Sequence, residues 1–151
     1  MNPIDQRLKS LNIELPEPAA PVASYRPARA VGGLLYVSGQ LPFRDGAVVT
    51  GRLGDSLGTE EGAAAARLCG LMLLAQVRAA IGFEHLASCV KLGGFVACTP
   101  DFTDHPSVIN GASDLMAEVL DEAGRHVRFA VGAPSLPLGA CVEVEAIFAL
   151  Q

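Results

Sequence analysis

Residues 63–80 constrain this chain more than any other segment. From Ala63 to Ala80 the side chains are apolar on nearly every face of a helix. A helix with so little polar surface is buried on more than one side. Thr59 reads as its cap, Glu60 and Glu61 lie at its positive end, and Gly82 closes it. The longest apolar run, Leu68–Val77, includes Gln76 and is bounded by Arg67 and Arg78, too short to span a bilayer. The helix therefore needs other layers of the same chain around it, and 151 residues, half of them apolar, suffice for one domain with a real core.

Those layers are legible on either side. Asn2-Pro3 is an N-cap followed by a first-turn proline, and Ile4, Leu8 and Leu11 recur at helical spacing, so residues 3–11 read as a short amphipathic helix. Pro16, Pro18 and Pro21 end it in an extended connector. From Val22 to Thr50 the pattern turns to strands. Ala28–Val31 and Leu34–Gln40 flank a Gly32-Gly33 hairpin signal, and Asp45-Gly46 marks a turn before Ala47–Thr50. After the long helix, Ser88–Cys98 reads as a strand weakened by Gly93-Gly94. A second helix spans about 106–123, with Val108, Leu115, Val119 and Leu120 inward and Asp114, Glu118, Asp121 and Glu122 for solvent, and ends at Gly124. Two strands follow, around Arg128–Val131 and Cys141–Phe148, joined by a Pro/Gly loop, so hairpins are expected at both ends. This order predicts an α+β domain: a mixed β-sheet backed by two helices on one face. Neither side of the last strand is fully polar, and oligomerisation through the sheet is the simplest cover for the other face.

Composition removes several classes of function. There are 11 basic and 16 acidic residues, a net charge of −5, and lysine occurs only at Lys9 and Lys91. No basic stripe marks a nucleic-acid surface. The four cysteines (Cys69, Cys89, Cys98, Cys141) form no C-x-x-C pair and no zinc spacing, and read as small buried hydrophobes. His85, His105 and His126 are far apart with no partner at metal spacing, and His105 and His126 read as surface or capping residues. No metal or cofactor motif is present, nor a phosphate loop. The N-terminus lacks a signal peptide's apolar core. The expectation is a protein of the cytoplasm with no membrane partner.

The polar residues on the final strands carry the candidate chemistry. Arg128 opens the first, and Glu143 and Glu145 share a face of the second. A guanidinium grips a planar carboxylate through paired hydrogen bonds, and a nearby carboxylate activates a water. The competing reading is a cross-strand ion pair between Arg128 and the glutamates on a half-exposed sheet face. Ser38-Gly39-Gln40 ends a strand where glycine lets a ligand approach the backbone, or is an ordinary bulge. Tyr25 precedes the first strand, and Asn110 sits mid-helix, where Asn is a mild cost.

Taken in order, these residues resemble the RidA/YjgF family, also labelled as endoribonucleases. Tyr25 after a Pro/Ala segment, Tyr36-Val-Ser-Gly-Gln-Leu-Pro42, Phe95-Val, Asp101-Phe, Val108-Ile-Asn110, Arg128, Leu136-Pro137 and Val142-Glu-Val-Glu-Ala-Ile147 occur at the family's spacing. The resemblance covers about residues 22–150. It divides the chain into residues 1–21, a helix and Pro-rich connector, and residues 22–151, the RidA/YjgF-like domain. It implies a YjgF/chorismate mutase-like fold, a homotrimer with clefts between subunits, and cofactor-free hydrolysis of 2-imino and enamine acids to 2-keto acids and ammonia. It further implies that Arg128 binds the substrate carboxylate, that Glu143 orients the attacking water, and that Tyr25, Ser38, Gly39 and Asn110 line the cleft. The family's Pro-Ala-Arg-Ser-Cys is here His126-Val-Arg-Phe-Ala130, so Ala130 stands in place of the cleft cysteine. That departure keeps a second function open, a non-catalytic trimer that binds a small acidic metabolite. A ribonuclease fits the acidic composition least.

Overall fold

The long apolar helix lies on a five-stranded sheet, and both owe their position to alternation along the strands. The computed structural model describes residues 2–21 and 23–151. Met1 and Val22, the latter where the sequence starts its strand-rich region, lie outside them. The elements are α1 (Pro3–Ser10), β1 (Ala28–Val31), β2 (Leu34–Gln40), β3 (Phe43–Arg44), β4 (Ala47–Val48), α2 (Thr59–Ile81), β5 (Leu86–Ala97), α3 (His105–Leu120), β6 (Val127–Ala133) and β7 (Val142–Leu150).

The main sheet runs β1-β2-β7-β5-β6, and β3-β4 forms a separate ribbon. All pairings in the main sheet are antiparallel except β5 with β6, which are parallel and joined through α3. Val142, Val144, Ala146 and Phe148 of β7 are buried, as are Leu35 and Val37 of β2 and Leu92 and Val96 of β5. These positions form the core face beneath α2 and α3. The opposite face carries Tyr36, Val127 and Val131, all exposed.

α2 is long and apolar enough by length and composition to cross a membrane. Here it is a core helix, with Cys69, Leu73, Leu74 and Val77 wholly enclosed. Its first residue is Thr59, and Gly58 is the cap. Glu61 accepts the Gly58 N–H at 3.0 Å, satisfying a donor that a capping side chain leaves open. α2 and α3 touch where Gly111 of α3 meets Ala63, and a Cβ at Gly111 would stand 2.8 Å from the Ala63 carbonyl carbon. α3 ends at Leu120, and a 3₁₀ turn, Asp121–Gly124, completes the segment read as one helix.

The two final strands are not a hairpin. β5 lies between them, so the expected C-terminal hairpin is replaced by a β5–α3–β6 crossover and a return on the far side of β5. Parallel pairing needs such a long connection, which local turn signals do not report. α1 adds Leu8 to the core, and Arg7 Nε donates to the Glu118 carbonyl at 2.8 Å. The connector then crosses α2. Gln76, the one polar residue of the apolar run, is 3% exposed and donates to Ala19 O at 2.9 Å and Gln40 Oε1 at 3.2 Å. Its burial is tolerable because its amide is bonded, and it ties the connector to the end of β2.

Candidate functional site

The residues singled out from sequence fall into two clusters. Tyr25, Ser38, Gly39 and Glu143 line one small cleft of about 60 Å³, walled also by Ala19, Ala20 and Pro21 of the connector. The register of β2 against β7 shifts between Val37 and Gln40. This irregularity re-aims Ser38 and Gly39, as bulges beside functional sites commonly do. Ser38 N and Oγ both donate to Pro27 O, at 2.9 and 3.2 Å, and Gln40 Nε2 donates to Ser38 O at 3.0 Å. Gly39 leaves the space into which Glu143 leans. A Cβ there would collide with Glu143 Oε2 and stand 2.8 Å from its Cδ. Burial in this cleft, and secondarily the like charge of Glu145, push the Glu143 carboxyl above its ordinary 4.5. Among the described residues no salt bridge reaches Glu143.

Arg128 and Asn110 line a second cleft with Ser113, Asp114 and His126. Arg128 Nη1 donates to Ser113 Oγ and Nη2 to Pro106 O, both at 3.0 Å. Ser113 Oγ lies 2.8 Å from His126 Nε2, and His126 Nδ1 lies 2.6 Å from Gly124 O. A carbonyl only accepts, so Nδ1 carries a proton and donates to Gly124 O. In the neutral ring Nε2 then accepts the Ser113 hydroxyl proton, leaving Ser113 Oγ to accept from Arg128. This chain of hydrogen bonds fixes the guanidinium. No carboxylate bridges to it among the described residues. Its remaining N–H donors suit a bidentate acid.

The cross-strand ion pair read from the sequence is not formed. Arg128 is in register with Leu92, and Glu145 with Gly93. Leu92 and Gly93 are adjacent on β5, so Arg128 and the glutamates occupy opposite faces of the sheet, two strand spacings apart, roughly 10 Å. Glu145 lies across Gly93 instead, on the open face. His126 caps the 3₁₀ turn through Gly124 O, as the sequence suggested, and is also the middle of the Arg128 chain. Sequence reasoning passed over Ser113 entirely. Its signal was the spacing of Asn110, Ser113 and Asp114, at i, i+3 and i+4, which puts three polar residues on one face of an apolar helix. Among the described residues no group of three or more His, Cys, Asp or Glu is placed to hold a metal.

A family profile described as “YjgF/chorismate mutase-like, putative endoribonuclease” matches residues 5–150. The chain belongs to the YjgF/chorismate mutase-like family. Its similarity to Protein TCP17 of Trypanosoma cruzi is 48% identity, over 95% of this chain and 92% of that protein. The crystal structure of Atu1372 from Agrobacterium tumefaciens, a protein of unknown function, is 45% identical with a TM-score of 0.91, covering 99% of this chain and 93% of that one. A Shewanella oneidensis protein carrying the endoribonuclease label is 36% identical with a TM-score of 0.94, over 99% and 100%. The N-terminal helix and connector thus lie within the aligned span of two solved relatives. At the point where this YjgF-like chain departs from the expected motif, Ala130 packs against the core beside Arg128. Phe129 points the other way, edge-on to Phe95 at 5.3 Å, with Lys91 Nζ 5.4 Å from its ring.

Proposed function

We propose that this protein hydrolyses small 2-imino or enamine acids to 2-keto acids and ammonia, at sites completed between subunits of a homotrimer. The observation that carries this reading is Arg128: a guanidinium braced by Ser113 Oγ and Pro106 O, with donors to spare and no carboxylate partner among the described residues. Such a group fits a ligand carboxylate. A second copy supplies what one subunit lacks. Glu143 and its cleft lie on the open face of the sheet, and Arg128 lies on the edge strand β6, on the other face. A neighbouring subunit docked on the open face brings its Arg128 edge toward that cleft, which also covers Tyr36, Val127 and Val131.

The chemistry asks little of such a site. With the acid held by Arg128, Glu143 takes a proton from a water, and the oxygen adds to the imine carbon as the C=N π electrons move to nitrogen. Glu143 returns that proton to nitrogen, giving a carbinolamine; the hydroxyl proton then passes through the same carboxylate to the amine, the C–N bond breaks with release of ammonia, and the C–O bond becomes the keto group. Atoms and charge balance without a cofactor. A raised Glu143 carboxyl suits both halves, since it holds the proton between the two steps. Ser38, Gly39 and Tyr25 shape the Glu143 side, and Asn110 the Arg128 side.

The test is ammonia and keto-acid release from enzymatically generated 2-iminopropanoate, with wild type and Arg128→Ala side by side. Turnover in the wild type that is lost in Arg128→Ala supports the assignment. An assembled wild type that binds short carboxylates through Arg128 and releases no ammonia replaces it with the second reading, a metabolite-binding trimer.

A further inference from the structure

Cys98 and His105 meet where β5 ends, three residues beyond Phe95, which pairs with Glu143. Cys98 follows β5, and its sulfur lies 3.5 Å from His105 Nε2, in the first turn of α3. Chain geometry holds both partners. Cys98 N donates to Ala133 O at 3.1 Å, and the Cys98 carbonyl accepts from Arg52 Nη2 at 3.1 Å. The Phe102 ring stands edge-on to the His105 ring at 5.5 Å. Gly132 makes room for the pair, since a Cβ there would stand 2.7 Å from Cys98 Sγ and 2.8 Å from His105 Nε2. The thiol and imidazole open on a cavity of about 430 Å³, bounded by Arg52, Phe102 and Pro134. None of Tyr25, Ser38, Gly39, Asn110, Arg128 or Glu143 lines it.

The other three cysteines make the contrast. Cys98 is itself buried, 8% exposed, against 0% for Cys69 and Cys141 and 2% for Cys89. Burial pushes all three thiols up, Cys89 to about 12. Among the described residues none of them is hydrogen-bonded to a side-chain base, and such thiols are inert. A nucleophile with a base in hydrogen-bond reach, in a cavity that admits a small molecule, is the arrangement of an activated thiol.

We infer that Cys98, with His105 as its base, is a second reactive site that takes small conjugated carbon electrophiles bearing a carboxylate. Arg52 at the cavity wall selects the acid, and Phe102 and Pro134 accept its carbon skeleton. In the reaction, the Cys98 proton passes to His105 Nε2 and sulfur adds to the β-carbon of the C=C–carboxylate. The π pair becomes a C–H bond at the α-carbon by taking that proton back from His105. One S–C bond and one C–H bond form, one C=C π bond and one S–H bond break, and no oxidant or co-reactant is needed. The inference is independent of the imine-hydrolase reading, because the two sites share no residue.

Monomethyl fumarate and dimethyl fumarate are the probes, one anionic and one neutral, applied separately to the native assembled protein. Peptide mass spectrometry reads the adduct at each cysteine, and each rate is divided by that of N-acetylcysteine with the same reagent. A free thiol of pKa ~8.5 is roughly 3% ionised at pH 7, so full activation is worth at most about 30-fold. The expected normalised rate at Cys98 is about tenfold above the free thiol for monomethyl fumarate. The other three cysteines lag behind. His105→Gln removes the gain for both reagents, and Arg52→Gln removes it for monomethyl fumarate alone. Labelling of Cys98 no faster than of the other cysteines, or equal normalised rates for the two reagents, overturns the inference. The wild type gives a further check free of any folding effect of a variant. If the Cys98 rate tracks the ionisation of N-acetylcysteine from about pH 6 to 9, the histidine is a packing neighbour and the inference fails.

Discussion

Gly39→Ala separates the role of Glu143 from the stability of the fold. The three atoms nearest to an added Cβ all belong to the Glu143 side chain: Oε2 in collision, Cδ at 2.8 Å and Cγ at 3.0 Å. None of these three atoms is backbone, and Gly39 is not among the positive-φ glycines, so alanine suits the main chain. Folding therefore changes little. Lower entropy of the unfolded chain favours alanine by about 0.4–1 kcal/mol, against a side-chain shift of similar cost, of order 0.5–1.5 kcal/mol. The carboxylate is what must move. Clearing a collision of this depth takes about 1 Å or more, and a displacement of that size at a reacting group costs on the order of 100-fold in rate. The expected result is a melting temperature within a few degrees of wild type and a kcat for 2-iminopropanoate down about 100-fold, matching Glu143→Gln. The assay is paired: thermal unfolding, and ammonia release at saturating substrate. Full activity in Gly39→Ala refutes the role given to Glu143. Loss of activity together with a collapse in stability refutes the claim that Glu143 alone yields.

Other perturbations test the rest of the arrangement. Mixing Arg128→Ala and Glu143→Gln subunits before assembly should restore activity to about one quarter of wild type, since roughly one interface in four then carries both native residues if sites span subunits; no recovery in a verified mixed trimer removes the shared-site geometry. Folded Glu143 keeps its proton to higher pH than the unfolded chain, so its contribution is fully present below 4.5 and is lost as pH rises through the folded value. Melting temperature should thus fall with rising pH in that window, and Glu143→Gln should flatten this component. Turnover needs the carboxylate, so its acid limb lies above 4.5, and Glu145→Gln, by removing the like charge, should move the limb down. Ser113→Ala frees Arg128 Nη1 and breaks the bond to His126; KM should rise about tenfold with kcat nearly unchanged, measured by initial rates. Gly111→Ala puts a methyl into the Ala63 backbone, and overpacking of about 1–3 kcal/mol should outweigh the ~1 kcal/mol gain in helix propensity, lowering the denaturation midpoint.

Much of the architecture was written in local pattern. The all-round apolar face of Ala63–Ala80 required two covering layers, and the alternation from Val142 to Phe148 named the core face of β7. Gly32-Gly33 fixed the first hairpin, and the ordered set from Tyr25 to Ile147 led to the family. Strand neighbours were a different matter. A sequence states which residues alternate, and it does not state which strand lies beside which. Arg128 and Glu143, fifteen residues apart and joined by a turn-rich loop, read as hairpin partners. β5 enters between β6 and β7 and sets them two strands apart, and the register along β5 places Arg128 and Glu143 on opposite faces.

The same limit hid the polar contacts. Ser113 and His126 meet because α3 returns over the start of β6, and Cys98 and His105 meet because Gly132 of that strand leaves a gap beside them. Composition, periodicity and turn chemistry act within a few residues, and they determined the elements, the core face and the family. Pairing order and the packing of α3 depend on the summed burial of the whole chain. Those long-range terms alone decided that the candidate site would be divided between two faces of the sheet.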